Sequence, residues 1–141
     1  MYLPSARFWA CVIAVAMAMG EDAEAAKCVT VTRIACFKFR DWVAAGDIGA
    51  RTGAFLALYD EYAHLLAEKP RGGRPLDTPL NLTGVQRDKG WDTGFVVRFK
   101  SEAARLEFDK AEGHDKLKNE TDPLLERVFV YDFVDQENLG W

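Results

Sequence analysis

The residues of this chain equipped for chemistry are two histidines, a pair of tyrosines on one helical stripe, and an arginine inside an apolar run. His114 follows Gly113, and an imidazole whose ordinary pKa is about 6.5 is a ready general base for removing a proton next to a ketone. Its bland alternative is a helix-starting residue that hydrogen-bonds locally. His64 falls at the edge of an apolar stripe, where a partly exposed surface residue is expected. Tyr59 and Tyr62 lie on the stripe itself; tyrosines there fill core and aim the hydroxyl at the rim, and Tyr59 is the candidate to line a pocket. Trp91 and Phe95 are candidate pocket walls, with plain packing as the alternative. Arg33 stands inside an apolar strand. A buried guanidinium needs a carboxylate or an anionic ligand, so Asp132 on the last strand or a substrate carboxylate is the expected partner, the structural ion pair being favoured.

Other chemistries are excluded by what the sequence lacks. No nucleophile elbow, P-loop or dinucleotide fingerprint is present, and Gly72-Gly73 has neither the spacing nor the preceding strand, so no cofactor is expected. Cys11, Cys28 and Cys36 come without a Cys-x-x-Cys or Cys/His cluster, so no metal is expected either. Cys28 and Cys36, eight residues apart on what reads as one extended strand, would be roughly 26 Å apart at ~3.3 Å per residue, beyond disulfide reach. Free thiols point to a reducing compartment, and the expected location is cytoplasmic. With 18 Lys+Arg against 22 Asp+Glu the net charge is −4, which lacks the basic footprint of a nucleic-acid binder. The 141 residues, 49% hydrophobic and 28% charged, fit one globular domain with a two-layer core.

That domain is expected over residues 27–141. Ahead of it, residues 1–26 carry an apolar run from Phe8 to Met19 behind Arg7 and a small-residue stretch, Ala23-Glu24-Ala25-Ala26. This is the layout of a secretory signal peptide, too short to span a membrane as a helix. A cleaved signal, which would make the protein secreted, an uncleaved anchor and a wrongly predicted first exon all remain open. The folded domain itself is expected to avoid membranes.

The elements that must position the candidates follow from periodicity. Val29 to Phe39 alternates with a two-residue period and is a strand; Ile34 and Cys36 make its second face apolar too, which hints at a dimer. Residues 40–53, with three glycines and no clear period, read as a loop or ragged helix start. Residues 54–69 repeat apolar positions at three- and four-residue steps, an amphipathic helix stopped by the proline- and glycine-rich residues 70–79. A short strand is expected around Leu80 to Val85, a turn at Asp88-Lys89-Gly90, and a second clear strand from Thr93 to Phe99. Ser101 suits an N-cap for a helix from Glu102 to Asp109, a second helical piece runs from His114 to Asn119, and Val128 to Val134 is the last strand. Strand, helix, strand, strand, helix pair, strand is the ferredoxin-like βαββαβ order of an α+β fold, an antiparallel sheet with helices on one face. The other sheet face stays apolar, through Phe37, Phe39, Phe95, Val97 and Phe99 or their alternates. Its economical partner is the same face of a second copy, so a homodimer is predicted.

In this arrangement the chain resembles the stress-responsive dimeric α/β-barrel (Dabb) family, which includes olivetolic acid cyclase-like polyketide cyclases. The carriers are Arg33-Ile-Ala-Cys-Phe-Lys-Phe39, Gly90-Trp91-Asp92, Val96-Val97-Arg98-Phe99-Lys100-Ser101-Glu102, Gly113-His114 and Tyr131-Asp132-Phe133. The resemblance implies a dimeric α/β barrel with a small-molecule pocket and a cofactor-independent cyclase- or lyase-like reaction on a polyketide or other carbonyl intermediate of secondary metabolism. It places His114 at the family's catalytic histidine and Phe108 at its partner tyrosine. Arg33 falls at a first-strand histidine and Thr93 at a pocket histidine. His114 is then the catalytic candidate, with Tyr59, Trp91, Phe95, Phe108 and Arg33 as substrate-binding candidates. The alternative is a non-catalytic, stress-associated binding dimer of the same fold.

Overall fold

Strand β1, Val31–Phe39, forms the spine of the sheet. Its odd-numbered side chains, Val31 to Phe39, are all buried and the even ones half-buried, because a pleated strand sends alternate side chains to opposite faces. A computed structural model describes residues 29–76 and 90–141. Around β1 it arranges helix α1 (Ala45–Glu61), strands β2 (Leu66–Gly73) and β3 (Thr93–Phe99), helices α2 (Glu102–Asp109) and α3 (Glu112–Thr121), and strand β4 (Leu125–Val134). The sheet order is β2-β3-β1-β4 and every neighbouring pair is antiparallel. Since β3 separates β1 from β2, and β1 separates β3 from β4, the chain makes two split βαβ units, the ferredoxin-like fold.

Register decides which side chains meet the helices. Val31, Arg33 and Ala35 stand opposite Phe99, Val97 and Phe95 on β3, and Arg33 stands opposite Asp132 on β4. Phe37, Phe39, Val97 and Phe99 thus join Phe55, Leu58, Tyr59, Phe108 and Leu117 in the core between sheet and helices. The alternates, Ile34 and Cys36 on β1, Val96 on β3, and Phe129 and Tyr131 on β4, occupy the opposite face. Phe129 is 44% and Tyr131 55% exposed there. A face this apolar, left open on one chain, is a surface with a partner to find.

The structure moves both ends of the first helix, and it starts α3 at Glu112 and β4 at Leu125 instead of at His114 and Val128. Helix α1 starts nine residues before the expected position, inside the glycine-rich stretch. Gly46, Gly49 and Gly53 are merely tolerated on its outer side, each costing about 1 kcal/mol relative to alanine. Burial of Phe55, Leu58 and Tyr59, at about 1.5–3 kcal/mol per large side chain, outweighs that. The helix also ends at Glu61 instead of Lys69. Leu65 and Leu66, which fit the helical period, are buried in a 3₁₀ turn and the first β2 position, where the Lys100 amide donates to the Leu65 carbonyl at 2.9 Å. β2 is an edge strand, the place in a sheet where Pro70 is tolerated. The strand expected at 80–85, the Asp88-Lys89 part of the turn, Cys11, Cys28 and residues 1–26 lie outside the described residues. Gly90 has φ +66°, which glycine adopts without strain. As expected, Ser101 caps α2, its hydroxyl accepting from the Ala104 amide at 3.1 Å. Cys36 is a free thiol. Among the described residues no helix is long and apolar enough to cross a membrane, and no group of acids, histidines and cysteines could hold a metal.

Candidate functional site

The centre of the molecule is built around Arg33. The third position of β1 aims it between sheet and α2, where it is 7% exposed. Its Nε and Nη2 donate to Asp132 at 2.7 and 2.8 Å, and its Nη1 and Nη2 donate to Asp109 at 2.7 and 3.0 Å. The guanidinium also lies 5.3 Å from the centre of the Phe99 ring. Arg105, one helical turn before Asp109, donates to it at 2.9 Å and approaches Asp132 at 3.6 Å. Two cations and two carboxylates therefore close a neutral network. Burial alone would lower the Arg33 pKa, but the hydrogen bonds to Asp132 and Asp109 raise it, so the cation is permanent. Burial would likewise push the Asp109 carboxyl up, yet Arg33, then Arg105 and His114, hold it below its ordinary value.

Tyr59 borders this network from α1. It is 3% exposed, and burial, opposed by the nearby Arg33 guanidinium, pushes its phenol up to about 12. Its ring stacks on Phe108 with centroids 4.6 Å apart and meets Phe95 edge-on at 6.0 Å. Tyr59 also forms a wall of a groove of about 470 Å³ between α1 and the β2–β3 edge, together with Phe55, Leu56 and Phe95, with Arg74 and Thr93 also in its lining. That volume lies in the range of small-molecule sites, and an aromatic lining with few polar groups is their usual chemistry.

His114 is placed differently. Its ring touches Phe108 at 5.1 Å, its Nδ1 is 3.3 Å from the Asp109 carbonyl, and the groove's lining includes neither His114 nor Phe108. Phe108, fully buried, stands between His114 and Tyr59. The tight seat of α3 against α1 explains the spot: a Cβ on Gly113 would fall 2.9 Å from Leu58 Cδ1.

The sequence carries the pattern of a known domain along almost all of this architecture. Residues 31–135 match the model of the Stress responsive A/B Barrel Domain. The chain belongs to that family. Among solved structures, this Dabb chain is similar to a hydroxynitrile lyase from Passiflora edulis, at 18% identity over 79% of this chain and 98% of that one, with a TM-score of 0.63. An Arabidopsis thaliana protein matches at 19% identity over 76% and 96% of the two chains, TM-score 0.63. A dimeric ferredoxin-like protein of unknown function from Thermobifida fusca matches at 17% over 76% and 92%, TM-score 0.60. At such identities the likeness is one of fold. No curated protein matches the sequence.

Of the residues singled out in the sequence of this Dabb domain, Arg33, Tyr59, Phe95, Phe108 and His114 come together around the Phe108 ring and the Arg33 network, but only Tyr59 and Phe95 also face the groove. Trp91 lies apart. Its ring is 6.4 Å from Phe129, which is on the opposite sheet face, and the Arg127 guanidinium lies 5.4 Å over it. His64 is exposed at the surface, 3.8 Å from Glu107. The Arg33–Asp132 pair expected from the sequence forms. Asp109 and Arg105 were not foreseen, because a helix of eight residues shows no signal of which acid will meet a strand 76 positions away.

Proposed function

We propose that the protein is a homodimeric α/β barrel that binds a small apolar, carbonyl-bearing molecule in the groove between α1 and the β2–β3 edge. The observation that carries this reading is the groove itself, with Phe55, Tyr59 and Phe95 along its inner wall. The dimer is supported by the open sheet face of Ile34, Val96, Phe129 and Tyr131 and by a fold neighbour described as dimeric. Nile red, a neutral apolar dye whose fluorescence rises in dry surroundings, tests the groove. Leu56→Trp, at an exposed groove position, should fold normally and weaken dye binding several-fold. Equal binding by both proteins would place the dye elsewhere and remove the reading.

A catalytic reading, cyclase- or lyase-like proton transfer on a polyketide or other carbonyl intermediate, is favoured by one feature. Tyr59 lines the groove, and burial keeps its phenol protonated at neutral pH against the pull of Arg33, so a carbonyl that reaches from the groove past the ring to the hydroxyl would meet a hydrogen-bond donor. His114 as base would need Phe108 to move aside. The two roles separate in turnover of a linear β-triketone. Tyr59→Phe should abolish most of any activity, whereas His114→Ala, checked for folding by circular dichroism, should leave it largely intact. A loss of 10²-fold or more in His114→Ala would return the general base to the histidine.

A further inference from the structure

The groove changes character along its length. Its inner wall is aromatic, and at its outer end it adjoins a second hollow, of about 210 Å³, that shares Thr52, Arg74 and Thr93 with it. The charges around this junction are nearly all committed. Arg33, the guanidinium that the sequence left open to an anionic ligand, is taken by Asp109 and Asp132. Arg71 pairs with Glu68 at 3.1 Å. Asp92, the acid of the second hollow, accepts from the Phe39 amide at 2.7 Å and lies 3.7 Å from Lys38 Nζ. The Thr52 hydroxyl donates to the Ile48 carbonyl and the Thr93 hydroxyl to the Gly73 carbonyl. Arg74, by contrast, makes no ion pair among the described residues and stands where aromatic wall and solvent meet.

We propose that the groove's ligand is an amphipathic carboxylate, its apolar body against Phe55, Tyr59 and Phe95 and its carboxylate on Arg74. The inference rests on the groove being the binding site and adds the chemical class of what it holds. A guanidinium offers a planar fork that matches a carboxylate oxygen for oxygen. One such fork balances one negative charge, so a phosphate dianion would be left half-neutralised.

Calorimetric titration with phenylhexanoate and its uncharged counterpart phenylhexanol tests the proposal. The acid should bind at least about fivefold tighter than the alcohol at low salt, as one partly desolvated ion pair allows. The advantage should fall with added salt and vanish in Arg74→Gln, while Arg71→Gln keeps it. Equal affinities, a preference that survives Arg74→Gln, or phenylhexyl phosphate binding more tightly than the acid would each overturn it. Binding of the alcohol without preference would leave the groove reading standing and end this one; binding of neither compound would end both.

Discussion

Replacing Arg33 with methionine keeps most of the side chain's length and removes its charge. In the native protein Arg33 and Arg105 balance Asp109 and Asp132; after the change, two carboxylates face one cation, Arg105, which is 2.9 Å from Asp109 and 3.6 Å from Asp132. Breaking a buried ion pair by deleting one partner costs about 3–5 kcal/mol, because the partner is left buried and uncompensated. Here the carboxylates keep 25% exposure and Arg105 remains, so the lower end, about 3 kcal/mol, is expected. For a domain of this size that lowers Tm by about 10–20 °C. The sign of the pH dependence is a sharper test. Asp109 is held below its ordinary pKa by Arg33, so in the native protein its contribution is present above about pH 4 and is lost as pH falls through its folded value. In Arg33→Met the Asp109 carboxyl loses the guanidinium that holds it down, its pKa rises, and protonation relieves the repulsion between the two acids. The difference in stability between the two proteins should therefore shrink between pH 7 and pH 4.5. Arg33→Met/Asp132→Asn, which leaves a balanced Arg105–Asp109 pair, should recover at least about 1 kcal/mol of the loss. Urea denaturation at fixed protein concentration reads all three proteins at both pH values. A loss below about 1 kcal/mol, or one independent of pH, would refute the account of Arg33 as the balancing charge of a desolvated network.

Three more outcomes are expected. Absorbance titration of the phenols should show one that ionises only near pH 12 and disappears in Tyr59→Phe; since the folded value lies above the unfolded one of about 10, this group's stabilisation is complete below pH 10 and lost between about pH 10 and 12. Gly72→Ala should loosen β2, because the added Cβ would collide with both the Phe95 Cβ and the Gly94 carbonyl oxygen; unchanged hydrogen exchange of the β2–β3 amides would contradict the close approach. Ile34→Glu, at the centre of the open sheet face, should turn a dimer into a folded monomer by light scattering, and a persistent dimer would move the interface elsewhere.

Where the sequence foretold the fold, one physical signal was enough by itself. β1 and β3 alternate with a strict two-residue period, and Ser101 announces α2 by the chemistry of a cap. β2 failed that test. Its residues, Leu66 to Gly73, carry a proline, two glycines and three charged side chains, and only pairing with β3 makes them a strand. Leu65 and Leu66 satisfied a helical period equally well, so local pattern pointed one way and tertiary hydrogen bonding the other. The site divides along the same line. A buried arginine demands an acid, and Asp132 was legible from that demand alone. The Tyr59–Phe108 stack was not, because aromatic spacing within a helix says which face is apolar and nothing about which ring on another helix will cover it.

The departures from the residue pattern that the resemblance implies fit one another. An arginine at the first-strand position brings a charge that must be answered inside the fold, and Asp109 and Asp132 answer it with four hydrogen bonds. Burial keeps the Tyr59 phenol neutral against the pull of the nearby guanidinium, and its ring stacks on Phe108. A phenylalanine at position 108 completes that stack without a polar atom to satisfy, in a spot with no exposure at all. A tyrosine there would bury a hydroxyl that needs a partner, at a cost of about 1–3 kcal/mol if none is found. With Arg33 and Phe108 in place, the middle of the molecule is closed packing and balanced charge, and His114 is held behind it. The groove proposed to hold a small molecule is bordered by Tyr59 and leaves out both Phe108 and His114. The phenylalanine at 108 leaves His114 without a tyrosine hydroxyl beside it, and the recognition chemistry proposed above accordingly lies along the groove, between the Tyr59 wall and Arg74.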